Sequence, residues 1–336
     1  MQRILLVKTT SLGDVIHCLP AVSDVAAHFP KAQIDWVVEE PYAGIVTLHP
    51  AVARAVPVAM RRWRKSLVSR GTWQEMSAFK RELAIEGYDR VIDAQGLIKS
   101  ALLARLAKGE RHGLDASSAR EGIATRTYMH RHHVPWTLDA VARNRRLLAQ
   151  AIGYTTPRGE PDYGIHVASA GFDWLPTAPY CVLLTGTSDA TKLWPEESWL
   201  ECAQLAAQAG YACVLPHGSA TEEARAARIA APVGGVLMPR LALPQLAQVL
   251  AGAALVLGLD SGLTHLAAAL DRPTVGIFCG SRPQDTGVIA KYAANVGDVG
   301  RIPAAPAVWD AARTLLAAAP HATATPGDAS VTHAEA

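Results

Sequence analysis

Short runs rich in Val, Ile and Leu recur along this chain, and between most of them the apolar spacing turns helical. RILLV is followed by DVIHCLPAVSDVAAHF, QIDWVVEE, RAVPVA, a helical stretch near Glu75 to Glu86, and DRVIDAQG. A second series runs YCVLLTG, EESWLECAQLAAQAG, YACVLP, TEEARAARIA, GGVLMP, LPQLAQVLAG, ALVLGLD, SGLTHLAAAL and PTVGIF. Strand-helix alternation of this kind builds a doubly wound, mostly parallel sheet, and two series predict two Rossmann-like α/β halves. Residues 153–180 (GYTTPRGEPDYGIHVASAGFDWLPTAPY) gather Gly and Pro and lose periodicity, which places the hinge there. The expected division is an N-terminal domain 1–165, a C-terminal domain 166–320 and a disordered tail 321–336. Pro20 falls inside the first helical pattern and should kink or restart it.

The chain has 336 residues, half of them hydrophobic, enough for two domains with a large core. A net charge of +2 argues against a global nucleic-acid binder. Five scattered cysteines without a CxxC pair read as reduced thiols and suggest the cytoplasm. No signal-peptide pattern opens the sequence, and no apolar run is long enough to cross a bilayer.

In doubly wound sheets, ligands sit beyond the carboxyl ends of the strands, so the residues after each apolar run carry the information. Those residues are KTTSLGD, QGLIKS, TGTSDATKLWP, HGSATEE and LDSGLTHLAAA. In Asp260-Ser261-Gly262-Leu263-Thr264-His265 a strand ends and a helix starts, so free N–H groups can hold an anion, with His265 in the first turn. An N-cap alone would explain Asp260 or Ser261, but would not also call for Gly262 and His265. Thr187, Ser188 and Lys192 offer hydroxyls and a cation to a phosphate, against the plainer reading of Lys192 as a solvated surface group. VKTTSLGD poses the opposite question, because Asp14 puts a carboxylate where a phosphate loop would want none.

Arg61-Arg62-Trp63-Arg64-Lys65 carries four cations in five residues, either a solvated face or a seat for an anionic partner. No helix-turn-helix, zinc-finger or RNA-binding signature accompanies it. His130-Arg131-His132-His133 has neighbouring imidazoles but no carboxylate partner in the sequence, which makes a poor metal site. HExxH, GxSxG, P-loop and GxGxxG patterns are missing, so protease, hydrolase, P-loop and NAD chemistry are disfavoured.

VKTTSLGDVIHCLPA, QIDWVVEE, RRWRK, VIDAQGLIKSALLARL, KLWPEESW and DSGLTHLAAALDRPT together resemble the lipopolysaccharide heptosyltransferases of glycosyltransferase family nine, in matching order from residue 1 to about 280. RRWRK and DAQGLIKS look more like heptosyltransferase I than heptosyltransferase II. The resemblance implies a GT-B fold, two Rossmann-like domains facing across a cleft. It also implies inverting transfer of L-glycero-D-manno-heptose from ADP-heptose, a substrate and not a cofactor, to the first Kdo of Kdo2-lipid A. Asp14 falls on the family's general-base position. Thr187, Ser188, Lys192, Glu222, Leu241, Asp260, Ser261, Gly262 and His265 fall on donor-binding positions, with Leu241 where methionine and Ser261 where threonine is expected. Arg61, Arg62, Arg64, Lys65 and, more distantly, Arg120 fall on the acceptor side, where Gly13 would let the acceptor approach the backbone.

The implied mechanism needs no metal, consistent with the missing DxD signature, and no cofactor. The implied enzyme is a monomer on the cytoplasmic face of the inner membrane, touching that surface transiently and binding no nucleic acid. The rivals are heptosyltransferase II, a non-catalytic nucleotide-sugar or anionic-lipid binding protein with no need of Asp14, and a GT-B-like sugar epimerase with no need of the basic run.

Overall fold

The computed structural model describes residues 2–85 and 87–319. The first sheet holds β1 (Arg3–Val7), β2 (Gln33–Glu39), β3 (Val52–Val58), β4 (Gly87–Asp93), β5 (Lys108–Leu114) and β6 (His130–His132). The second holds β7 (Tyr180–Leu184), β8 (Ala212–Leu215), β9 (Val236–Leu237), β10 (Leu255–Leu259), β11 (Thr274–Phe278) and β12 (Ala293–Gly297). The orders are β3-β2-β1-β4-β5-β6 and β12-β11-β10-β7-β8-β9, with every ladder parallel. Read from its own first strand, each half therefore has the doubly wound order 3-2-1-4-5-6. In each sheet, the strands flanking the switch in strand order leave their carboxyl ends side by side: β1 and β4 in the first, β7 and β10 in the second.

The central strands are apolar on both faces, as strands covered by helices on both sides must be. The outer strands KGERHGL, HRH and AANVG carry no such run, and the sequence reading did not anticipate them. Pro20 acts as expected. A short helix Leu12–Ile16 ends at His17, and a second, Leu19–His28, takes Pro20 into its first turn, where the missing N–H costs nothing.

One apolar cluster continues from the first half into the second, from Ile4, Leu6 and Trp36 to Val182, Val256 and Leu266. The segment between the sheets takes part in it, with Tyr163 and Ile165 buried and the Tyr163 hydroxyl donating to the Ile289 carbonyl. The tail expected to be disordered, 321–336, lies outside the described residues.

Candidate active site between the two halves

The loop after β1 is held from beneath. The Thr9 and Thr10 N–H groups donate to Gln95 Oε1 at 3.0 and 3.3 Å, and the Lys8 ammonium donates to the Ala94 carbonyl at 2.9 Å. The residues after β4 are fixed in turn by Asp93. Its Oδ1 accepts the Gln95 and Gly96 N–H groups, and its Oδ2 accepts the Ser100 and Tyr128 hydroxyls. Asp93 is fully buried, and burial raises its pKa against the pull of those donors.

On this platform Asp14 enters the short helix Leu12–Ile16. Its Oδ2 accepts both the Ser11 N–H, at 2.9 Å, and the Ser11 hydroxyl, at 3.1 Å. Part of the carboxylate is thus spent on closing the helix start, the plainest role for an acid in a first turn. Oδ1 has Arg120 Nη2 at 3.9 Å. Burial works against the charge of Asp14, but Lys8, the Ser11 N–H and Arg120 outweigh it and hold the carboxyl below its ordinary range.

The two halves meet at this helix. A Cβ on Gly262 would lie 2.7 Å from Leu12 Cβ and 3.0 Å from the Gly13 nitrogen, and one on Gly13 would lie 3.3 Å from His265 Cδ2. Gly13, expected to make room for an acceptor, lies close against the helix Gly262–Ala269 of the other half. Beside this contact His17 Nε2 lies 3.1 Å from His265 Nδ1 with the rings edge to face. Burial, with His265 adding to it, pushes the His17 pKa down to about 3, so it is neutral at pH 7. His265 is itself buried, between His17 and Asp260, and does not lie open to a ligand.

Asp260 gathers the second half's polar groups. Its Oδ2 accepts Lys192 Nζ at 2.7 Å, the Ser281 hydroxyl at 2.6 Å and the Thr286 hydroxyl at 3.1 Å, while Oδ1 has His265 Nε2 at 3.7 Å. Burial opposes its ionisation, but His265, Lys192 and Ser281 hold the carboxyl well below the usual carboxylate range. Thr187 reaches the Asp260 carbonyl at 3.5 Å, and Ser188 is exposed nearby in sequence. Ser261 and Gly262 open the helix, whose first N–H groups have no partner within it. Glu222 Oε2 accepts the Gly218 N–H at 2.6 Å, and a Cβ on Gly186 would lie 3.0 Å from Glu222 Oε1. The carboxylate therefore lies against the turns that follow β7 and β8. Leu241 is half-buried and packs on the main apolar cluster.

The basic run is less uniform than its sequence. Trp63 turns inward, donating from Nε1 to Glu75 at 2.8 Å and packing edge to face on Phe79. Arg62 is paired with Glu40 and Glu75 together, which braces the turn. Arg61 lies over the Tyr42 ring, and Arg64 and Lys65 are exposed. Sequence reasoning had quoted QGLIKS without singling out Lys99, whose Nζ donates to the Thr10 hydroxyl at 3.3 Å. Lys8, His17, Asp93, Gln95, Ser281 and Thr286 were likewise not picked out. For Gln95 and Lys99 the available signal was their place just past β4, beside the end of β1.

A sequence model of glycosyltransferase family 9 (heptosyltransferase) matches residues 76–308. Lipopolysaccharide heptosyltransferase 1 of Pseudomonas aeruginosa is 48% identical over 301 residues, covering 88% of this chain and 84% of the relative. Its Escherichia coli K12 counterpart is 45% identical over 298 residues, covering 88% and 92%. Among solved structures, the E. coli heptosyltransferase WaaC with ADP superposes with a TM-score of 0.87 at 40% identity, covering 94% of this chain and all of that one. The complex of that enzyme with ADP-2-deoxy-2-fluoro heptose gives 0.82 at 41%, covering 92% and 98%. The two Rossmann-like halves thus form a GT-B fold, and the chain belongs to glycosyltransferase family 9, the heptosyltransferases.

Proposed function

We propose that the protein transfers L-glycero-D-manno-heptose from ADP-heptose to the first Kdo of Kdo2-lipid A, with inversion at the anomeric carbon. The observation that carries this reading is the approach of Gly13 to Gly262, which sets the Asp14 helix against the start of the helix that follows Asp260. The relatives named above, and a structural neighbour solved with ADP and an ADP-heptose analogue, support the donor.

The diphosphate would sit over the Ser261–Gly262 helix start, where the N–H groups point outward, with Lys192 sharing its charge between Asp260 and phosphate. Thr187 and Ser188 would complete that seat. Glu222, beside the ends of β7 and β8, would take ribose hydroxyls, and Leu241 would lie toward the adenine. The Kdo hydroxyl would approach from the first half and attack the anomeric carbon as the bond to the ADP oxygen breaks. Its proton would pass to Asp14 Oδ1, since Ser11 occupies Oδ2. A depressed pKa keeps Asp14 ionised and ready to accept, and the hydroxyl becomes acidic enough as its bond to carbon forms. Charge developing on ADP would be met by Lys192 and the helix N–H groups, which supplies without a metal the stabilisation a divalent ion would give.

The acceptor's phosphates and carboxylates would meet Arg61, Arg64, Lys65, Arg120 and Lys99. After this turn Leu67 and Val68 stand exposed, Val68 completely, between Lys65 and Arg70, and Trp73 stands exposed just beyond Arg70. Apolar side chains set among cations suit transient contact with an anionic membrane surface. Among the described residues no helix is long and apolar enough to cross a membrane.

The experiment is incubation with ADP-heptose and either Kdo2-lipid A or its once-heptosylated form, with mass analysis of the lipid. A single heptose added to Kdo2-lipid A with ADP release is expected. Addition only to the heptosylated acceptor would assign the second transfer, and donor binding without transfer would leave a binding protein.

A further inference from the structure

The run His130-Arg131-His132-His133 is the motif that the reaction leaves unused. In sequence it lacks a carboxylate, and β5 supplies one. Glu110 and His112 lie two residues apart on one strand and so share a face, and parallel pairing sets His112 opposite His130. Glu110 Oε2 is 3.9 Å from His112 Nε2 and 3.8 Å from His130 Nε2, and the three atoms lie within 4.8 Å of one another. The His112 and His130 rings stack with centroids 4.5 Å apart.

The second observation is an orphan. His112 is only 5% exposed, and its Nε2 is buried without a hydrogen-bond partner, while Nδ1 lies 3.0 Å from His132 Nε2. Native interiors seldom leave such an atom unpaired, and one that faces a carboxylate and a second imidazole calls for something between them. With Nδ1–H donated to His132, the Nε2 lone pair points at that space, and a neighbour that fixes the tautomer is what a metal-bound histidine usually has.

We propose that Glu110, His112 and His130 form a binding site for a divalent ion of zinc's class, which ties β5 to β6. Two imidazoles and one carboxylate suit that ion, with the fourth position left to water, since Glu110 and His130 are each about half exposed. Tetrahedral bonds of about 2.1 Å place ligand atoms about 3.4 Å apart, so the carboxylate would draw about 0.5 Å toward each imidazole, and the two imidazole nitrogens would close to the same spacing. Arg90 Nη1 lies 2.6 Å from Glu110 Oε2 and competes for the carboxylate, so the ion shares Glu110 through its other oxygen or displaces the guanidinium.

The site is distinct from the transfer site. Glu110 lies three residues before Gly113, which is level with Asp93 and with Val7 at the end of β1, and two strands across from β1.

The test is calorimetric titration of the untagged, chelator-treated chain with zinc chloride, followed by thermal unfolding. One saturable site per chain and a rise of a few degrees in Tm are expected. Glu110→Gln and His130→Ala, both at exposed positions, should each weaken that site at least tenfold. Arg90→Gln should tighten it several-fold by freeing the carboxylate. His112→Asn should abolish it, and the two exposed variants decide the matter if His112→Asn does not fold. Failure of the wild type to bind one zinc saturably, an affinity that survives both exposed substitutions, or an Arg90→Gln variant that binds no tighter would overturn the site.

Discussion

Asp93 and Asp260 occupy corresponding places, at or just past the end of the fourth strand of two sheets with the same strand order. Their partners make them different groups. Asp93 accepts two backbone N–H groups and two hydroxyls, faces no cation among its hydrogen-bond partners, and is sealed from solvent with its pKa raised by burial. Asp260 accepts an ammonium and two hydroxyls, has His265 beside it, and is held firmly ionised. The fold brings both to the ligand-facing edge of a sheet, and the side chains decide that one buckles a loop while the other orders a charged site. In the first half the neighbouring loop carries Asp14, which stands on the platform that Asp93 and Gln95 build.

This contrast can be broken at several points. The largest effect belongs to Asp14→Asn, which keeps the Ser11 contacts in shape but removes the proton acceptor. Turnover should fall by about 10²- to 10⁴-fold, read from ADP release, and a loss smaller than tenfold would take the base role away from Asp14. Lys192→Ala leaves Asp260 without its cation and the diphosphate without its charge partner. ADP-heptose affinity by calorimetry should weaken by about 10- to 100-fold, the worth of a charge-assisted hydrogen bond, and unchanged affinity would count against the placement of the diphosphate.

Asp93→Asn should act on the fold and on the loop above it. An amide in that pocket turns one acceptor into a donor facing other donors, which should lower stability by about 1–3 kcal/mol in urea unfolding. A variant as stable as the wild type would show that Asp93 is not the brace described.

The smallest effect at neutral pH belongs to His17→Gln. His17 has a folded pKa of about 3 against an ordinary 6.5, so below pH 6.5 the unfolded chain takes up a proton that the folded one refuses. Its share of stability is therefore intact above pH 6.5 and is lost toward pH 3, at about 1.4 kcal/mol per pH unit. His49, pushed down to about 4 by burial, adds a loss of the same sign that the variant keeps. Unfolding midpoints at pH 7, 6 and 5 should show a shallower decline for His17→Gln. An unchanged slope would mean that His17 is not held buried and neutral as described.

The sequence made the strand ends legible because central strands covered on both faces are unbroken apolar runs, and the first polar residue after each run marks a loop. By that rule Asp14, Lys192 and Asp260 could be named from the sequence. The outer strands KGERHGL and HRH could not, since KGERHGL, next to the rim, buries only its last three residues and HRH, at the rim, need not bury both faces, and with them went the carboxylate that stands beside His130. His17 escaped for another reason: its partner His265 is 248 residues away, and its neutral, buried state exists only where the halves touch. Gly13 was recognised as a close-approach residue, but not the helix of the other half that lies against it, because one glycine in a loop does not say which chain comes near.

The central claim is a division of labour, with Asp14 of the first half taking the proton and the Asp260–Lys192 group of the second half holding the donor. The most direct measurement is the turnover number and the ADP-heptose Kd of Asp14→Asn and Asp260→Asn, taken side by side with Kdo2-lipid A as acceptor. The account predicts that Asp14→Asn loses at least about 100-fold in turnover with Kd within about twofold of wild type, while Asp260→Asn weakens Kd by about tenfold or more. Parallel losses of both constants in both variants, or the opposite split, would contradict it.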